Sequence, residues 1–221
     1  GRGGSMHDSY ITPAGEGYFE LTEKKSRFLG YVAPTAAPEA AEEFIAKIKA
    51  AHPDARHHVF AYVCGGIDGG AEARRMSDDG EPQGTGGVPC LDVLTKRGLS
   101  CAAVVVVRYF GGILLGAPGL VRAYGKAAAG AADNAGIVTM QRCRRIDVTC
   151  DYQLYGKVSR ALESAKECRV TAPEFGENVR ASAIMPADRA ASFAEYMVNL
   201  TNSRAEVSVS DESFFEPKLG E

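Results

Sequence analysis

The chain has 221 residues, 45% of them apolar, and a formal net charge of −3. That length carries one or two domains with real cores. The mildly acidic balance argues against a general DNA-coating protein while leaving room for a local basic patch, and no apolar run approaches the roughly 18 residues of a membrane span.

The first six residues, GRGGSM, lack an apolar signal core and read as a cloning scar before Met6. Six cysteines stand at 64, 90, 101, 143, 150 and 168, none in a CxxC pair and most within apolar segments. They read as buried, reduced thiols of a cytoplasmic protein. Of the 25 glycines, 22 fall before position 141. This shift predicts two differently built domains, 6–140 and 141–221.

In the first half, YFELTEKKSRFLGYVAP predicts one or two strands. Thr35 is placed to cap a helix that HPD stops near His52. HHVFAYVC (His57–Cys64) alternates as a strand. The stretch from Gly65 to Gly87 holds eight glycines and reads mostly as loop. VPCLDVLTKRG predicts a short helix with Gly98 as its C-cap signal. CAAVVVVRYF is a continuous apolar strand expected to be buried on both faces. RYFGGILLGAPG follows as a glycine-rich loop, and then a helix rich in small residues ends near Gly136.

In the second half, RRIDVTC (Arg144–Cys150) alternates as a strand and Asp151 is a candidate N-cap. Leu154, Val158 and Leu162 recur at helical spacing. CRVTAPEF and NVRASAIMP are strand-like around a GEN turn. Pro186 opens a second helix, with Ala190, Phe193, Met197 and Leu200 on one face. AEVSVS closes the unit. The order β-α-β-β-α-β is the ferredoxin-like pattern.

Four groups of residues bear on chemistry. Asp78, Asp79 and Glu81 precede Gly84, Thr85, Gly86 and Gly87 at a helix start. Loop carboxylates suit a hard cation and the amides an anion; equally, Asp and Glu satisfy turn and cap donors. In the glycine-rich loop, Arg108, Tyr109 and Arg122 stand out. A strand-end Arg beside an aromatic can hold a carboxylate or phosphate, or Arg108 can neutralise the acidic loop. Gly119 and Gly125-Lys126 only approach a P-loop, with five residues between and Ala127 where a hydroxyl belongs. His57 and His58 are adjacent and face opposite sides of a strand; neither HExxH nor GxSxG is present. Lys24, Lys25 and Arg27 form a short basic strand edge that suits RNA phosphates or blocks edge pairing.

KKSRF (Lys24–Phe28), HHVFAY (His57–Tyr62), SDDGEPQGTGGVP (Ser77–Pro89) and VVVVRYFGGILLGAPGLVRAYGKAA (Val104–Ala128) occur in this order. Together they resemble the YigZ/IMPACT family over the whole chain after Met6. The resemblance implies an α+β protein with two parts. The first is an α/β sandwich similar to the second domain of a ribosomal small-subunit protein. The second is a ferredoxin-like domain similar to a late domain of elongation factor G. It departs from the family's usual pattern at Val59, Gln83 and Gly86, and by Leu114 and Pro118, which remove a frequent lysine and glycine.

The expectation is therefore a non-enzymatic binding protein associated with regulation of translation. Its candidate nucleic-acid or ligand-binding residues are Lys24, Lys25, Arg27, His57, Asp78, Asp79, Glu81, Arg108, Tyr109 and Arg122. No catalytic residue, metal or cofactor is expected. The expected partner is RNA, the ribosome or a protein, with no membrane. An enzyme joining the acidic loop to Arg108, and a purely protein-binding module, are the alternatives.

Overall fold

The computed structural model describes residues 8–220, so Gly1–Met6 lie outside the described residues. The chain divides into two compact units, one ending at Val138 and the other starting at Thr139.

The first unit contains β1 (Ser9–Pro13), β2 (Gly17–Glu23), β3 (Ser26–Pro34), α1 (Pro38–Ala51), β4 (His57–Gly65), β5 (Glu72–Ser77), α2 (Gly87–Lys96), β6 (Ala102–Tyr109) and α3 (Ala117–Ala135). Five strands form an antiparallel sheet in the order β2-β3-β6-β4-β5. The continuous apolar run of β6 is buried on both faces, as its composition predicts. Such runs are typical of parallel sheets; here the strand is the antiparallel centre of the sheet and helices cover both sides. Val104 and Val106 join Phe28, Val59, Ala61, Leu94 and Tyr124 in one core, against α2 and α3. Val105 and Val107 join Leu29, Phe60, Phe44 and Ile45 in the other, against α1.

Small residues let α3 sit almost in backbone contact with the hairpin β2-β3. A Cβ on Gly30 would lie 2.3 Å from the Ala127 carbonyl oxygen, and one on Gly17 2.1 Å from that of Ala131. The alanine-rich character of α3 is therefore a packing requirement.

One local expectation changes and two are refined. Thr35 does not cap α1. The helix begins with Pro38 near its N-terminus and Ala37 as N-cap, while the buried Thr35 hydroxyl lies 3.5 Å from Cys64 Sγ. The region 65–87 is mostly loop as expected, but within it charged EARRMS forms the edge strand β5. Gly119 and Gly125 lie inside the single helix α3, so no phosphate loop runs between them.

The second unit continues β7 (Ile137–Cys150), followed by α4 (Tyr152–Ser164), β8 (Arg169–Val170), β9 (Glu174–Phe175), β10 (Val179–Pro186), α5 (Ala187–Leu200), β11 (Glu206–Val209) and β12 (Phe214–Pro217). β7 pairs antiparallel with β10 on one side and β11 on the other, and β8 and β9 pair with β10. This is the ferredoxin-like arrangement, with α4 and α5 packed on Ile146, Val148, Ala181 and Met185. Asp151 caps α4, its carboxylate accepting from Leu154 N at 2.9 Å. All six cysteines are free; five are buried and Cys168 is partly so. Among the described residues no helix is long and apolar enough to cross a membrane.

Candidate functional site

The sequence-selected residues converge on one end of the five-stranded sheet, but in three separate groups. Strand parity causes the split. In β6, Arg108 shares the α3 side with Val104 and Val106, while Tyr109 points to the α1 side. The two adjacent residues therefore do not form one ligand grip.

The first group is buried. Arg108 is 4% exposed and Glu81 8%. Arg108 Nη1 donates to Glu81 Oε1 at 2.6 Å, and the Tyr124 hydroxyl donates to the same oxygen at 2.8 Å. His57, level with Arg108 in the β4-β6 register, brings Nε2 to 3.4 Å from that oxygen. Its Nδ1 lies 2.7 Å from the Asp79 carbonyl oxygen; a carbonyl only accepts, so Nδ1 carries the proton. Arg108 Nη2 donates to Ser26 Oγ at 3.3 Å, which also accepts from Gly111 N at 3.1 Å. Phe28 and Phe110 each lie 5.4 Å from the guanidinium carbon. Burial, followed by the Glu81 charge, pushes the Tyr124 phenol far up, so it remains a donor.

Each carboxylate of the acidic loop has a different local task. Asp78 accepts from the backbone N–H groups of Gly84, Gly86 and Gly87 at 2.9, 3.1 and 2.8 Å. It thereby caps α2 from outside the helix, and the anion seated on those amides is the protein's own. Burial works to raise its pKa, but the three amide donors prevail and hold it below the ordinary value. Asp79 accepts from His58 N at 2.7 Å. Glu81 faces Arg108. The three carboxylates diverge, and among the described residues no group of three or more His, Cys, Asp or Glu is arranged to hold a metal. Val59 and Gly86 meet at the base of this loop, where a Cβ on residue 86 would lie 2.9 Å from Val59 Cγ2. A side chain at 86 would therefore crowd the valine at 59.

The second group lies on the α1 side. Arg27 is not part of a basic edge: β3 is an interior strand, and the Arg27 side chain pairs with Glu20 at 2.7 Å and stacks over Tyr109. Tyr109 and Tyr31 place their hydroxyls 2.7 Å from the two ring nitrogens of His52. Burial, then His58 and Arg27, hold the His52 pKa below its ordinary value.

The third group is exposed. Lys24 and Lys25 form the two-residue turn between β2 and β3, with Glu23 opposite Ser26. Both lysines have left-handed backbones, φ 43° and 65°. Two-residue hairpins normally put Asn-Gly here, and a left-handed L-residue costs about 1–2 kcal/mol. Gly111 seats on this turn, because a Cβ there would lie 2.1 Å from Lys25 C and O. The KKSRF and RYFGG segments are thus locked together through Ser26 and Gly111. Beside the turn is a depression of about 100 Å³ lined by Lys24, Arg122, Lys126 and Glu23. Arg122 and Lys126 are four residues apart on one face of α3. Sequence reading noticed Lys126 only as a failed P-loop residue, although its spacing from Arg122 was the available signal.

Comparison with known proteins places both units. Residues 24–132 match the Impact N-terminal domain, and residues 148–204 match a domain of unknown function, DUF1949. The IMPACT family member YvyE of Bacillus subtilis is 36% identical over 211 residues, covering 96% of this chain and 95% of that protein. The IMPACT family member YigZ of Escherichia coli is 48% identical over 118 residues, 53% of this chain and 57% of that protein. A crystal structure of a hypothetical protein aligns with a TM-score of 0.62 at 31% identity, covering 94% of this chain and all of that one. The chain belongs to the IMPACT family.

Proposed function

We propose that this protein binds RNA in association with translation and does so without catalysing a reaction. The observation that carries this reading is the contrast in how charge is used around Ser26. Arg108, Glu81, Asp78 and Asp79 are engaged in the architecture, whereas no ion pair involves Lys24, Lys25, Arg122 or Lys126 among the described residues. Unpaired cations on one face are the electrostatic footprint of phosphate binding. A left-handed Lys-Lys turn, kept in place of Asn-Gly, adds backbone strain of the kind that clusters at functional sites.

The test is fluorescence anisotropy of labelled single- and double-stranded RNA from low to physiological salt. Affinity falls steeply with salt, and Lys24→Ala and Lys126→Ala each reduce the salt slope by about one. Absence of binding at low salt overturns the reading.

A second reading has one specific observation in its favour. The loop before α3 exposes Phe110, Ile113 and Leu114, the last at 81%. Adjacent apolar exposure of this kind suits a protein partner. If RNA binding fails, capture of a partner that Leu114→Lys abolishes supports this alternative.

A further inference from the structure

We propose that the depression lined by Lys24, Arg122 and Lys126 receives a phosphate monoester at an RNA chain end, so that the protein distinguishes phosphorylated from hydroxyl ends. The proposal rests on the RNA reading above and specifies what its basic site recognises.

Size is the first argument. About 100 Å³ is well below the roughly 300–1,000 Å³ of sites that enclose a whole small molecule. The remaining lining residues are Leu115, Gly119 and Ala123, so no aromatic ring offers a base a stacking surface. The site takes one small anionic group, with the nucleotide itself left outside.

Charge is the second. Three cations against the single Glu23 carboxylate leave an excess of two positive charges. A phosphodiester carries one negative charge, whereas a monoester carries about −1.5 to −2 at pH 7. The excess therefore matches a chain end better than an internal linkage. A site for backbone alone would continue as a charged groove along the strand, whereas the three cations here line one small depression.

Preorganisation is the third. Arg122 and Lys126 project from adjacent turns of the 19-residue helix α3. Lys24 is fixed by the left-handed turn on which Gly111 rests. The backbones that carry the three positive groups are thus fixed around one depression before a ligand arrives, which reduces the ordering cost of binding.

The experiment compares internally labelled RNA oligonucleotides of one sequence, carrying a 5′-phosphate, a 3′-phosphate or hydroxyls at both ends. Each is titrated at physiological salt with the wild type and with Arg122→Gln and Lys126→Gln, exposed-face variants whose folding is checked by Tm. The expected result is about tenfold tighter binding of one phosphorylated oligonucleotide than of the hydroxyl form. Both variants should remove that difference and bring the three RNAs to one common affinity, itself weakened by the loss of a phosphate contact. Equal wild-type affinity for all three RNAs overturns this proposal and leaves the RNA reading standing. An end preference that survives both variants also overturns it. Failure of all three to bind even at low salt overturns the RNA reading and this proposal together.

Discussion

Two charged regions lie side by side at one end of the sheet and use charge in opposite ways. Around Arg108, almost every polar atom faces a partner inside the protein, and the group is shielded from water. Around Lys24, Arg122 and Lys126, cations line an open depression beside a strained turn. Ser26 connects them: its hydroxyl accepts from Arg108 on one side and from Gly111, which clamps the lysine turn, on the other. A motif that looks like one site in sequence is therefore a scaffold and the surface it supports. The contrast predicts large stability effects with no direct loss of ligand contacts in the first region, and the reverse in the second.

Removing one side of the Arg108–Glu81 pair should have the largest effect. Arg108→Ala leaves the Glu81 carboxylate buried beside Tyr124 without its cation, and chemical denaturation should show a loss of about 3–5 kcal/mol. The double variant Arg108→Met/Glu81→Leu removes both charges and should recover most of that loss. A double variant no more stable than Arg108→Ala would show that the pair is not the dominant contribution.

Asp78 comes next. Asp78→Ala strips α2 of a cap with three amide donors and should cost about 1–2 kcal/mol. The folded-state pKa of Asp78 is lowered, so its contribution is present above the unfolded value of about 3.9 and is lost as pH falls through the lower folded value. The stability gap between the wild type and Asp78→Asn in urea titrations should therefore begin to narrow below about pH 4 and close only below the folded value. A stability gap that is constant from pH 7 to pH 3 would contradict the assigned role of the charge.

Much of this architecture was legible in the sequence because local rules and tertiary packing agreed. The run of four valines before Arg108 announced a doubly covered strand, and Asp151 announced the start of α4. β5 was hidden because edge strands tolerate the charges and polarity that also mark loops; EARRMS pairs on one side only. β1 and β12 were missed as short segments next to chain ends. The site was legible as a set of residues but not as a geometry. Nothing local says that Arg108 turns inward while Lys24 turns outward, because that depends on which face α3 covers. Nor does the sequence show that Asp78 reaches forward to the amides of Gly86 and Gly87. The grouping of Lys24 with Arg122 and Lys126 joins positions about 100 residues apart and requires the close approach of α3 to the hairpin.

The smallest stability effect should fall on the lysine turn, and there its sign should be opposite. Lys24→Asn/Lys25→Gly installs residues that accept the left-handed backbone and removes both ammonium groups. Relief of the strained conformation, reduced by the greater freedom of glycine in the unfolded chain, should raise stability by about 1 kcal/mol. RNA affinity should fall at the same time, with a shallower salt dependence. A stabilised protein that binds less would mean that the lysines are kept for the ligand at the expense of the fold, as functional sites commonly are. Loss of stability together with binding would mean instead that the lysine side chains brace the Gly111 contact, and the division between scaffold and surface would have to be drawn on the other side of this turn.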